Sequence, residues 1–200
     1  MDSNTCLLSC KCGNLRGEVR RMELGKRAVC YCKDCQVFAK YLGKSEDILD
    51  AMGGTEVVGI RPQHLVFTKG SEHIACVSLT DRGLYRWYAR CCNTAIGNTP
   101  RNPKIAHVGL IHSVFQGGVE GLEKSFGPVV VRVNTKGAKA YVEPSKGLLK
   151  LIVGHIVSLV RERVSGGFKV TPFFQETNAR PLAEPYVLKA SELENLRSAA

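Results

Sequence analysis

Nine cysteines in 200 residues, most of them in closely spaced groups, constrain this chain more than any other feature. Seven are clustered as Cys10 and Cys12, then Cys30, Cys32 and Cys35, then the adjacent Cys91 and Cys92, while Cys6 and Cys76 stand apart. A disulfide-built fold would require an oxidising compartment and an export signal. The first residues, Met1-Asp2-Ser3-Asn4-Thr5, contain no basic stretch followed by a long apolar one, so no signal peptide is expected. The thiols are therefore read as reduced, the location as cytoplasmic, and the clusters as metal-binding or catalytic.

Tetrahedral zinc takes thiolates about 2.3 Å from the metal. Two cysteines one or two residues apart can reach such a point from a single turn, and a remote second turn can complete the site. The C-x-C-x-x-C run of Cys30, Cys32 and Cys35 offers three thiolates from one loop, which leaves a fourth position open as in a catalytic zinc site. Lys33 inside that loop favours deprotonated thiols. A histidine or Cys76 could instead close the site. Cys10 and Cys12 precede Gly13, which permits a tight knuckle, and Cys91 with Cys92 would complete a four-cysteine structural site. The competing reading of these four is a redox-active or merely buried set of thiols. Histidines 64, 73, 107, 112 and 155 are scattered without zincin-like spacing and are expected to be structural. No Ser/His/Asp signature is present, and Gly53-Gly54-Thr55 lacks the pattern of a phosphate loop.

Up to about residue 115 the chain reads as short strands: residues 15–22, 65–69, 74–79 and 84–89, with later strands at 107–115 and 129–133. Turns are expected at Gly53-Gly54, Arg61-Pro62, Lys69-Gly70 and Asp81-Arg82-Gly83, the last closing a hairpin. Residues 34–42 predict a short helix. The fold class is mainly β. A division is expected into a zinc-binding β domain, residues 1–143, and a C-terminal extension, residues 144–200. In the extension, Leu149, Ile152, Val153, Ile156, Val160 and Val164 recur at helical spacing, ending at Ser165-Gly166-Gly167. This stripe is expected to pack on its own domain; the alternative, given Lys146, Lys150, Arg161 and Arg163, is a membrane-surface helix. Residues 171–200 predict an extended arm and a short final helix capped by Ser191 and Glu194.

The apolar fraction of 44% suffices for a packed core. The formal charge of +10 is distributed over both halves; it is read first as a solvated basic surface, and alternatively as a field that attracts anions such as nucleic acid, acidic lipid or a carboxylate-bearing metabolite. The most apolar stretch, residues 148–160, is too short to span a bilayer and contains Lys150 and His155.

These cysteine motifs resemble the glutathione-dependent formaldehyde-activating enzyme and centromere-protein-V family. Its pattern of C-x-C-G, then C-x-C-x-x-C, then an aromatic followed by C-x-x-C-G is matched in order by Cys10-Lys11-Cys12-Gly13, by Cys30-Tyr31-Cys32-Lys33-Asp34-Cys35, and by Tyr88-Ala89-Arg90-Cys91-Cys92-Asn93. The resemblance implies a zinc-stapled β-tent-like fold. It assigns Cys10, Cys12 and Cys92 to a structural zinc and Cys30, Cys32 and Cys35 to a second, active-site zinc. One departure stands out: Ala89 occupies the place of the third motif's first cysteine, and Asn93 that of its glycine. Either Cys91 substitutes as the fourth ligand through a bent backbone, or the structural site is altered. The activity implied is that of a carbon–sulfur lyase acting on the adduct of a thiol such as glutathione with a small aldehyde such as formaldehyde. The sequence leaves the oligomeric state open, a homodimer being one candidate. The alternatives are a non-enzymatic zinc module binding nucleic acid or a protein partner, and a thiol redox sensor.

Overall fold

The computed structural model describes residues 4–145, 148–175 and 177–198, without the side chains of residues 148–152 and 155. The contributions of Lys146, Leu149, Lys150, Ile152 and His155 to the expected amphipathic helix therefore lie outside what is described.

The fold is mainly β with a helical C-terminal region. An eight-stranded sheet runs in the order β10-β3-β4-β9-β8-β7-β6-β11. Its strands are β3 (Lys26–Cys30), β4 (Thr55–Ile60), β6 (Ile74–Ser78), β7 (Tyr85–Ala89), β8 (Thr94–Thr99), β9 (Val108–Ile111), β10 (Val129–Val133) and β11 (Pro185–Val187). The interior pairings are antiparallel, and each outermost strand adds in parallel, β10 on β3 and β11 on β6. A second antiparallel sheet has the order β1-β2-β5, from β1 (Thr5–Ser9), β2 (Arg16–Arg20) and β5 (Leu65–Lys69).

Both faces of the large sheet are covered at its centre, and the strands β6 and β9 are buried along their whole length rather than on alternate residues. Toward the small sheet, Leu8, Leu15, Val19, Val58, Leu65, Trp87, Ile96 and Leu110 form one core. Toward the other side, Val77, Leu79, Ala95 and Ile111 pack against α1 (Lys33–Tyr41), α2 (Ser45–Ile48) and the final helix α5 (Ala190–Ser198), through Phe38, Leu42, Ile48 and Leu193. Trp87 has no exposed surface; its Nε1 donates to Thr99 Oγ1 at 2.9 Å and its ring stacks on Phe173 at 4.8 Å. Phe173 and Phe174 reach this core from the C-terminal arm, and β11 pairs alongside β6 beginning with Pro185, a residue tolerated only at such an edge.

The expected strands at 65–69, 74–79, 84–89 and 129–133 are present, as is the Asp81–Gly83 hairpin, since β6 and β7 pair antiparallel. The strand expected over 107–115 stops at Ile111 and becomes a 3-10 turn at His112–Val114. The helix α3 (Gly118–Phe126) carried no sequence signal because three of its first residues and neighbours are glycines; it is bounded by Gly117 and Gly127 at positive φ and is fixed by burying Leu122 and Phe126.

Two expectations are corrected. The last helix begins two residues before the expected capping box: Glu192, not Glu194, reaches back, accepting from Lys189 N at 2.8 Å and from Tyr186 Oη. The helix α4 (Leu148–Ser165) does not bury its stripe. Val153, Ile156, Val157, Val160 and Val164 face solvent, because the tie to the body runs through the opposite face, where Arg61 meets Ser158 and Glu162. No helix among the described residues is long and apolar enough to cross a membrane.

Candidate metal centres

The first centre is built where the two ends of the β core meet. After β1 the chain makes a tight knuckle: Gly13 N donates to Cys10 O, Cys10 N donates to Leu15 O, and Gly13 takes a φ of 76°. After β7 a second knuckle forms, in which Cys92 N and Asn93 N both donate to Ala89 O, and Asn93 adopts the left-handed region at φ 56°. The two turns are clamped by Thr94, whose Oγ1 accepts from Lys11 N at 2.9 Å and lies 3.1 Å from Cys92 Sγ.

Although Ala89 replaces the third motif's first cysteine, Cys91 stands with the other three sulfurs. Cys91 Sγ lies 3.8 Å from Cys10 Sγ and 3.3 Å from Cys12 Sγ, Cys10 and Cys12 are 3.5 Å apart, and Cys91 and Cys92 3.9 Å. All four sulfurs lie within 4.8 Å of one another. A tetrahedron with metal–sulfur bonds of about 2.3 Å has sulfur–sulfur edges of about 3.8 Å. A disulfide would need about 2.05 Å, and none of these pairs approaches it. The four-sulfur cage thus fits a zinc ion. Leu15 N points at Cys10 Sγ at 3.2 Å, the kind of outer hydrogen bond that holds a thiolate ligand in place. Burial acts upward on the Cys92 thiol, but hydrogen bonds from Thr94 and Cys12 bring it down to about 6; burial and the neighbouring thiols push Cys91 up.

The second centre sits at the N-terminus of α1. Cys30 ends β3, Cys32 is the residue that caps α1 by accepting from Cys35 N at 3.4 Å, and Cys35 lies in the first turn. The three sulfurs lie within 4.8 Å of one another, and among the described residues no histidine or carboxylate joins them. Cys35 is buried, while Cys30 and Cys32 are half-buried, so one side of the triad faces outward. The helix N-terminus favours negative charge there. Hydrogen bonds from Cys32 and Cys35, with Asn134 adding to them, hold the Cys30 thiol far below its ordinary range, while the same shared protons push Cys32 and Cys35 up. Three cysteine sulfurs gathered this closely have the donor set of a thiolate metal site. Cys76 does not supply a fourth ligand: it projects from β6 into the core between the sheets, and burial pushes its thiol up to about 12. Cys6 is likewise a buried core thiol raised by burial.

Three outer residues escaped the sequence reading. Asn134, held at φ 55° just after β10, donates Nδ2 to Cys30 Sγ at 3.3 Å; its position follows from the parallel pairing of Val133 with Cys30. Arg86 places Nη1 3.9 Å from Cys35 Sγ. Thr94 serves the first centre. Only Arg86 left a trace in the sequence, as a lone charge within the β7 run Tyr-Arg-Trp-Tyr-Ala.

No curated protein matches the chain. A crystal structure of a Rhodobacter sphaeroides protein from a structural genomics programme is 20% identical, with 62% of this chain and 96% of that chain covered and a TM-score of 0.40. The profile of a family of unknown function, DUF6151, matches residues 2–180. With nearly its whole length, both cysteine centres included, inside that match, the chain belongs to the DUF6151 family.

Proposed function

We propose that this protein is a zinc-dependent enzyme of the carbon–sulfur lyase type, acting on the adduct of a glutathione-like thiol and a small aldehyde, with formaldehyde as the simplest case. The reading rests on the motif resemblance to the glutathione-dependent formaldehyde-activating family and on one observation: Cys30, Cys32 and Cys35 converge as a three-sulfur set that no histidine, carboxylate or further cysteine among the described residues joins. In it, Cys10, Cys12, Cys91 and Cys92 hold a structural zinc, and the triad holds the catalytic one. A zinc ion bound by the triad supplies a Lewis acid that keeps an incoming thiol in its thiolate form.

The chain's own groups do the rest. Asn134 and Arg86 donate to Cys30 and Cys35 and fix the sulfurs' orientation. Exposed Lys33 flanks the triad, and the segment that abuts it carries exposed Arg132, Lys136 and Lys139, a basic rim suited to an anionic thiol. That segment is seated closely: Gln36 Nε2 donates to both Tyr31 O and Gly137 O. In the reaction the thiolate sulfur attacks the carbonyl carbon. A carbon–sulfur bond forms as the carbonyl π pair moves to oxygen, which takes up the proton the thiol released; the reverse direction breaks the same bond. Nine cysteines with no disulfide geometry suit a reducing compartment such as the cytoplasm.

The test is loss of formaldehyde in the presence of glutathione, with zinc-loaded protein compared against the uncatalysed background and against Cys32→Ser. Acceleration by the native protein alone supports the reading. No acceleration above background excludes this reaction.

A further inference from the structure

We infer that α4 is an interfacial anchor, a helix that lies flat on a bilayer surface bearing anionic lipid, with its apolar stripe among the acyl chains and two arginines against the head groups. This goes beyond the catalytic reading above and does not depend on metal at either centre.

The helix is fastened along one side and bare along the other. Arg61 donates to Ser158 Oγ, and its Nε stands 3.9 Å from Glu162 Oε1. An α-helix turns by about 100° per residue, which puts Ser158 and Glu162 on the side away from Val153, Ile156, Val157, Val160 and Val164. Those five fall within an arc of about 100°, and each is half exposed or more. A stripe of that width normally faces a core, but here the body of the protein lies on the opposite side. Contiguous apolar surface left in water marks an interaction site. The helix is not long and apolar enough to cross a membrane, so it can only lie along one.

The charges beside the stripe decide what covers it. Arg161 and Arg163 stand about 80° to either side of its midline, and both are exposed. The Arg163 guanidinium also approaches the Phe168 ring, 5.8 Å from its centroid. Glu162 is the one acidic residue of the helix, and it is turned inward to Arg61. Both shoulders of the stripe are thus positive, with no carboxylate of the helix beside them. A second copy of this face would set arginine against arginine, and the +10 charge of the whole chain would add to the repulsion. Nucleic acid would answer the arginines and leave the stripe in water. A bilayer with anionic head groups answers both: the stripe enters the apolar layer while each arginine lays its aliphatic stem along it and reaches the phosphates.

The test is co-sedimentation of the full chain with vesicles of phosphatidylcholine alone and of phosphatidylcholine mixed with phosphatidylserine, at low and high salt. Analytical ultracentrifugation of the protein alone gives its oligomeric state. Wild type is expected to bind the mixed vesicles, less so as salt rises, and to bind phosphatidylcholine alone more weakly. Val157→Gln combined with Val160→Gln places good helix formers at exposed positions. It should keep the circular dichroism spectrum and weaken vesicle binding by at least about 10-fold. Arg161→Gln combined with Arg163→Gln should weaken binding to the mixed vesicles about 10- to 30-fold, toward the level seen with phosphatidylcholine alone. The arginine pair carries the test if the valine pair does not fold. Wild-type binding by either double variant would overturn the inference. So would a protein that ignores both kinds of vesicle: if it sediments as a dimer that the valine changes dissociate, a second copy covers the stripe, and if it sediments as a monomer, the stripe meets another protein.

Discussion

Cys91 Sγ stands 3.3 Å from Cys12 Sγ although 79 positions separate them in the chain. The two knuckles that bring them together belong to different sheets, one after β1 and one after β7. A shared metal would staple those sheets beside the core that Leu8, Leu15 and Ala89 share. Structural zinc contributes on the order of 10–16 kcal/mol in small peptides, against a net domain stability of about 5–15 kcal/mol. Cys91→Ser and Cys92→Ser are each expected to lower metal content from two equivalents to one and to abolish the cooperative β unfolding transition, read by metal analysis and circular dichroism. A Cys91→Ser protein with unchanged zinc and melting temperature would show that Cys91 is not a ligand.

Cys32→Ser should behave differently. Cys32 caps α1 with its side chain, and serine is among the preferred residues at that position, so the helix start survives. The variant is expected to fold, retain one zinc equivalent, and lose thiol-dependent formaldehyde consumption. Loss of both metals on this substitution would mean that the two centres are not independent.

Within the candidate sites, the cysteine clusters were legible and their surroundings were not. The short spacings of Cys10 with Cys12, and of Cys30, Cys32 and Cys35, dictate local convergence whatever the fold. Asn134 and Arg86 reach the second centre through tertiary pairing, β10 on β3 and β7 against α1, which no local pattern encodes. The strands β3 and β4 were missed for a related reason: Lys26-Arg27 and Gly59 dilute their β signal, and pairing with each other and with their outer neighbours restores it. Helical spacing in α4 was read correctly, but spacing says which residues share a face and not where that face points.

That last point can be measured. Val157 is 61% exposed on the apolar face of α4. Substitution by lysine at a core-facing position would cost several kcal/mol, whereas an exposed substitution usually changes stability by less than about 0.5 kcal/mol. Val157→Lys is therefore expected to leave the urea midpoint unchanged. A large downward shift would place this stripe against the protein after all.

Phe173 offers the opposite case. It is fully buried, stacked on Trp87 and in edge contact with Phe67, although it lies on the C-terminal arm outside any regular strand or helix. Phe173→Ala should cost about 3–5 kcal/mol by the cavity it leaves, measured by urea unfolding of the zinc-loaded protein. A cost below about 1 kcal/mol would mean that the arm does not hold its place in the core.

Cys76 connects burial to pH. Its thiol faces the apolar core, and burial raises it from an ordinary value near 9 to about 12. The folded protein therefore keeps a proton on this sulfur that the unfolded chain gives up between those values. Since stability falls with pH wherever the folded state binds more protons, the contribution is fully present below about pH 9 and declines as pH rises toward 12. Cys76→Ala should flatten the alkaline loss of stability across that interval by about one proton, read from urea midpoints at successive pH values. Zinc-loaded native protein should also shield Cys76 from alkylation at pH 8, where only thiolates react appreciably, whereas protein unfolded in urea with a chelator exposes it. Equal alkylation rates at Cys76 in the folded and unfolded forms would contradict the buried setting that raises its thiol.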